Sequence, residues 1–378
     1  MKNCFYILFL LSCLFSCKDQ IGNSDIDSFL VHGENANPTL LSNIAQNVDY
    51  VSLKWPKGTT ISRITDIKVY GNYIFIHDRD GTMTITVFDK QGNYVNRLNK
   101  IGKGPGEYLD LEAFSFDIEN EILVTYSRDV QSFNFYTFPE MEFIRSLKRN
   151  KYIINFEVLK NGDWLVICDE EFNNKFHGLE RWDEDHIAQP VNKLIKRDPI
   201  TVEMSLPNTL TKNQGNIYYA NPHEITTIFK FTNEDFTPVL EIDFGMNNIP
   251  SQSWETPHVE EFENTLEEGG EKSFWVQNAI INDSTVSFWF YYGGFGNDYL
   301  AICDKNTKEC SVYSEVNLTN MNINVPAPIT NSNDRYISLL YPDLMDTVGI
   351  STHIDLMNAF EESIKTSSPI LVFFTLLD

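Results

Sequence analysis

One feature limits what this chain can fold into more than any other. Six times, a tight polar corner is followed by a run of consecutive apolar residues. Gly71-Asn72 leads into Tyr73–Ile76, Glu119-Asn120-Glu121 into Ile122–Val124, and Asn161-Gly162-Asp163 into Trp164–Ile167. Gly215-Asn216 leads into Ile217–Ala220, Asn282-Asp283-Ser284 into Thr285–Phe288, and Asn333-Asp334 into Arg335–Leu340. The corners begin at residues 71, 119, 161, 215, 282 and 333, so they lie 48, 42, 54, 67 and 51 residues apart. Propeller blades recur every ~40–50 residues. The corner residues tolerate positive φ, as tight hairpins require. A strand with one wet face alternates apolar and polar residues, whereas a continuous run implies burial on both faces. Such a strand belongs between neighbouring sheets.

The first two units can be read as whole blades. Thr65–Val69, Tyr73–His77, Thr84–Phe88 and Tyr94–Leu98 give four strands, the last two joined by the Asp89–Asn93 turn. Ala113–Asp117, Ile122–Thr125, Ser132–Tyr136 and Phe143–Leu147 repeat the plan, with Pro139 confined to a turn. Aromatic residues make up 13% of the chain, which favours pleated, half-buried surfaces. The expected fold is therefore all-β: a six-bladed β-propeller of four-stranded antiparallel blades. Two helical insertions are expected in the last two blades. Pro257–Glu268 carries Val259, Phe262 and Leu266 before Gly269-Gly270, and Asp355–Lys365 carries Leu356, Phe360 and Ile364. These stripes fit packing against the propeller, with a lid over the channel as the alternative. Asp49–Leu53 is expected to join the final strand Ile370–Leu376 and latch the ring, because an open ring leaves sheet edges unpaired.

The N-terminus reads as a targeting segment. Lys2 precedes the apolar run Phe5–Phe15, which is too short to span a bilayer as a helix. Leu14-Phe15-Ser16-Cys17 resembles a bacterial lipobox, with Cys17 as the lipidated residue. Leu10-Leu11-Ser12-Cys13 competes with it, and an ordinary cleaved signal peptide is the other reading. The expected organisation is a leader over 1–16, a loosely ordered lipid-anchored tether over 17–45, and the propeller over 46–378. That places the protein in a Gram-negative cell envelope, anchored to the outer membrane and facing either the periplasm or the surface.

Charge and chemistry narrow the function classes. The formal net charge is −24, which repels phosphate backbones, so no nucleic-acid partner is expected. The seven histidines show no HxH or HxxxH spacing, so neither a metal nor another cofactor is expected. No GxSxG elbow is present, and no catalytic residues are assigned. His77, beside Asp78, Arg79 and Asp80, fits a hydrogen-bonded structural role better than a metal site. Cys303 and Cys310 flank a hairpin tip. If Asp304 faces Glu309, the two cysteines oppose each other at ~4.5–5.5 Å, within reach of a disulfide, with two free thiols as the alternative. Cys168 sits in an apolar run and is expected to be buried. Trp289–Tyr299 runs from a strand into a glycine-rich loop. Tyr291, Tyr292 and Phe295 are the candidate ligand-binding residues there, set against packing on the next blade.

Gly102-Lys103-Gly104-Pro105-Gly106 lacks the Gly-Lys-Ser/Thr ending of a phosphate loop and reads as an inter-blade turn. Glu107 and Tyr108, which follow it, are candidates to face the channel on position alone. The stretch Ile101–Tyr108 resembles an element found between the first two blades in the six-bladed β-propeller lipoproteins of Bacteroides-type gut bacteria. The resemblance extends over about residues 48–378 and implies a six-bladed ring on the envelope, similar in shape to NHL-repeat propellers. It implies no reaction. The expected function is an envelope-anchored binding or scaffold propeller, held to the membrane by its lipid and taking a glycan or an envelope protein as partner. The alternative is a glycan-active lyase or hydrolase acting at the channel mouth.

Overall fold

A computed structural model describes residues 26–59, 61–169, 177–183, 185, 188–190, 210–213, 215–220, 227–232, 235–249, 264, 266, 271–318, 323–344 and 353–377. The leader with Cys13 and Cys17, and all of the expected helix Pro257–Glu268 except residues 264 and 266, lie outside the described residues.

The chain forms a six-bladed propeller. Blade 1 holds Asp66–Tyr70, Tyr73–Asp78, Thr84–Asp89 and Tyr94–Leu98 in that order. Blade 2 holds Ala113–Asp117, Ile122–Ser127, Ser132–Thr137 and Phe143–Lys148, and blade 3 holds Tyr152–Val158, Trp164–Asp169, His177–Trp182 and Ala188–Pro190. Blade 4 is Leu210–Asn213, Asn216–Ala220, Thr227–Thr232 and Asp235–Asp243. Blade 5 is Ser273–Ile281, Thr285–Tyr292, Asp298–Asp304 and Cys310–Tyr313. Blade 6 takes Thr330–Ser332, Arg335–Leu340 and Ile370–Leu376, then borrows Ala45–Ser52 as its outer strand. That antiparallel pairing, from Ile370 opposite Ser52 to Leu376 opposite Ala45, closes the ring.

The run after each corner is the second strand of its blade. In five of the six corners a residue sits at positive φ: Gly71, Glu121, Gly162, Gly215 or Asn333. The core explains why these strands are apolar on consecutive residues. It divides into clusters lying between neighbouring blades, so alternate side chains of one strand enter different clusters. Phe75 packs toward blade 2, while Ile74 and Ile76 pack toward blade 6. Leu165 and Ile167 face blade 4, while Trp164 and Val166 face blade 2. Each fully buried side chain of this size contributes about 1.5–3 kcal/mol. The first strands meet around the axis and line the channel.

Two elements differ from the sequence expectation. The segment read as a loose tether is docked along the rim. Asp27–Leu30 adds a parallel fifth strand to blade 4, with Asp27 opposite Leu240 and Leu30 opposite Asp243. Phe29 is buried between blades 4 and 5, and Thr39–Leu40 pairs with Val316–Asn317 beside blade 5. The second difference is the face of the helix Ile354–Thr366. Leu356, Ala359 and Ser363 are buried, whereas Ile364 is 55% exposed. The buried face therefore runs through Leu356, Ala359 and Ser363, with Met357 and Phe360 partly buried beside it.

Candidate functional site at the channel mouth

One end of the ring carries the connections into the first strands and the loops joining second to third strands. There, side chains associated with blades 1, 2, 3, 5 and 6 enclose a cavity of about 380 Å³ at the mouth of the channel. Blade 1 supplies Asp66, His77, Arg79 and Asp80, and blade 2 supplies Glu112. Blade 3 gives Asn155, blade 5 gives Gln277, Tyr291 and Asp298, and Ala327–Ile329 lead into blade 6.

The wall formed by blades 1 and 2 is held by ion pairs. Arg79 donates to Asp80 at 2.8 Å and to Glu112 at 3.3 Å. Burial raises the Glu112 carboxyl, and the Arg79 charge partly offsets this. His77 is buried and donates from Nε2 to the Leu111 carbonyl at 2.9 Å. Burial pushes its pKa down to about 3, so the ring stays neutral. This fixes His77 as a structural donor rather than a base. Among the described residues, no group of three or more His, Cys, Asp and Glu side chains is placed to hold a metal ion.

The blade 5 wall is different. Tyr291 and Asp298 are ladder partners on adjacent strands, so their side chains lie on the same face. Gln277 donates to the Asp298 carboxyl at 3.1 Å. Burial raises that carboxyl to about 6, against the smaller lowering effect of the Gln277 bond. Burial and then the Asp298 charge push the Tyr291 phenol to about 12. Beside the cavity, Tyr291 meets Phe274, Trp275 and Phe295 at ring-centroid distances of 5.5, 5.9 and 5.7 Å. Phe295 stands 40% exposed on the glycine-rich loop, where Gly293, Gly294 and Gly296 all have positive φ. A bulkier chain would not make that bend without strain.

The three aromatic candidates therefore divide. Tyr291 lines the cavity and Phe295 packs on its rim. Tyr292, expected at the surface, is only 6% exposed and belongs to the cluster between blades 4 and 5. Consecutive strand residues point to opposite faces, and Gly33 of the docked N-terminal segment packs directly on the Tyr292 ring. The glycine element is the expected inter-blade turn, between Tyr94–Leu98 and Ala113–Asp117, but Glu107 and Tyr108 do not face the channel. The Glu107 carboxylate accepts the Gly104 N–H at 2.6 Å, so it fills the loop it follows. Tyr108 is fully buried between blades 1 and 2 and donates to the Met83 carbonyl at 2.9 Å. Gly106 is needed because a Cβ there would lie 2.4 Å from the Phe143 ring. The element locks two blades together and leaves the channel to other residues.

Further down the channel, Glu157 pairs with Lys212 and, at 3.4 Å, with Lys68, and Tyr70 donates to it at 3.2 Å. Burial raises its carboxyl, but the two ammonium groups outweigh this and hold it below the usual range. Sequence patterning gave no sign of this network, because its members lie on three separate blades. Away from the axis, Cys303 and Cys310 face each other on the blade 5 ladder and are joined by a disulfide, and Cys168 is a buried free thiol.

A family profile described as Domain of unknown function (DUF4934) matches residues 28–374. Among solved structures, a Bacteroides fragilis protein named as a candidate exported protein superposes with a TM-score of 0.71 at 17% identity. That match covers 93% of this chain and 100% of the other. A member of the duf4221 family from Bacteroides vulgatus gives a TM-score of 0.48 at 9% identity, over 88% of this chain and 97% of that one. The first likeness shows a shared fold, and the second carries no argument. No protein of curated function matches the chain.

Proposed function

The chain belongs to the family described as Domain of unknown function (DUF4934), and we propose that it is an exported, envelope-tethered propeller that binds a glycan at its channel mouth. The carrying observation is the convergence of five blades on one cavity of about 380 Å³ with Tyr291 in its wall. Ligand sites of ~300–1,000 Å³ combine apolar surface with a few placed polar groups. Tyr291 offers a ring for a sugar face to stack on, while Asn155, Gln277 and Asp298 offer hydrogen bonds to hydroxyl groups. Export is supported by the Lys2 and Phe5–Phe15 leader and by the name of the Bacteroides fragilis protein that shares the fold. Lipid attachment at Cys17 is the tether in this reading.

Glycan cleavage at the same mouth has one observation in its favour. A carboxyl raised to about 6, as for Asp298, can serve as a general acid. Hydrolysis also needs a second carboxylate that is free to act. Asp80 and Glu112 are both engaged by Arg79, which favours binding over cleavage.

An oligosaccharide array probed with the full chain, with and without Tyr291→Ala, tests the binding reading. Binding of the wild type to a defined set of glycans is expected, with loss in a variant that still unfolds in one cooperative transition. Equal binding by both proteins, or none by the wild type, overturns the reading. Shortening of the glycans would establish cleavage instead.

A further inference from the structure

We propose that the mouth cavity selects ligands bearing a protonated amino group, seated between the Asp298 carboxylate and the ring of Tyr291. The proposal rests on the binding reading above and names the chemistry that the site prefers.

Three observations carry it. The first is how the charges in the cavity are used. Arg79 already satisfies Asp80 and Glu112, and Arg63 is 73% exposed and 3.8 Å from Asp80. Among the described residues no cationic side chain pairs with Asp298, whose hydrogen bond comes from the neutral Gln277 amide. A carboxylate in a partly desolvated wall without a counter-charge is costly, and a ligand cation offsets that cost. The second is the juxtaposition of Asp298 with Tyr291 across the ladder. An ammonium group placed over an aromatic face is attracted by the ring and by a carboxylate beside it. The third is the sign of the lining. Asp66, Asp80, Glu112 and Asp298 outnumber Arg63 and Arg79, in a chain of net charge −24. Such a mouth repels uronate-rich and sulfated glycans and draws in cations.

An ammonium group can come from an amino sugar or from a lysine side chain. Calorimetric titration of the full chain with glucosamine tetramer, N-acetylglucosamine tetramer and a trilysine peptide separates these sources. The first two probes share a scaffold and differ in charge. Glucosamine tetramer is expected to bind about tenfold more tightly than its acetylated form, a difference of about 1.4 kcal/mol. Asp298→Asn should bring the two to within about twofold, because the charged probe loses more affinity than the acetylated one. Tyr291→Phe keeps the ring and should keep the preference. Tight binding of trilysine without glucosamine tetramer would support the ammonium preference, assign its source to lysine and overturn the glycan reading. Equal affinity for the charged and acetylated tetramers overturns the proposal while leaving a glycan site in place. No binding of any probe, alongside wild-type binding to other array glycans that Tyr291→Ala abolishes, overturns the ammonium preference alone. No binding of any probe or any array glycan overturns both.

Discussion

Tyr291 and Tyr292 are neighbours in the chain and belong to different parts of the molecule. The first lines the channel mouth, and the second is buried between blades 4 and 5 against Gly33. The sequence made both visible as an aromatic pair entering a glycine loop. It could not rank them, because the partner covering Tyr292 lies more than two hundred residues away. Asp298 is not marked by the sequence, since one aspartate after a glycine loop has no distinguishing pattern. Its environment leads to a pH prediction. Its folded-state pKa, about 6, lies above the unfolded value, so the native state holds this proton more tightly. Stability from this group is therefore present at low pH and is lost as pH rises from about 4 to 6. Asp298→Asn should raise stability at pH 8 by up to about 3 kcal/mol, with the gain vanishing toward pH 4. Chemical denaturation at the two pH values checks this, and equal gains at both would contradict it.

Among the elements, the second strands were the most legible. Their continuous apolar runs follow from each strand serving two inter-blade clusters, and that requirement appears directly in the residue order. The borrowed strand Ala45–Ser52 was legible in part, because closure demands a partner for Ile370–Leu376. Asp27–Leu30 was not. Only Phe29 is fully buried in it, so it carries no period for pattern reading to detect. If this strand is part of the domain, Phe29→Ala should destabilise the protein by about 3–5 kcal/mol, as for other buried aromatic residues. A loose tether would show no change in the denaturation midpoint. The glycine element is a related case. Its spacing pointed to an inter-blade turn, while the inward folding of Tyr108 and Glu107 depends on carbonyls and amides that sequence does not place.

At the scale of the whole molecule, the channel has two unlike regions. The mouth is a cavity shared by five blades, and below it Glu157 ties the first strands of blades 1, 3 and 4 through Lys68, Tyr70 and Lys212. Removing the charge at Glu157 leaves Lys68 facing a desolvated site without its partner. Glu157→Gln should cost about 3–5 kcal/mol near neutral pH. Because the folded carboxyl lies below its unfolded value, that contribution is present above about pH 4.3 and fades as pH falls through the folded value. A pH series of unfolding free energies for the two proteins tests this, and a difference that grows in acid would contradict it. Hydrogen–deuterium exchange on the full chain, with and without glucosamine tetramer and glucose tetramer, tests the mouth most directly. Bound ligand should protect residues 63–66, 79–80, 112, 291–298 and 327–329 together, although they lie on different blades. Protection confined to one blade, to the opposite end of the ring or to the outer strands would contradict a shared site at the mouth.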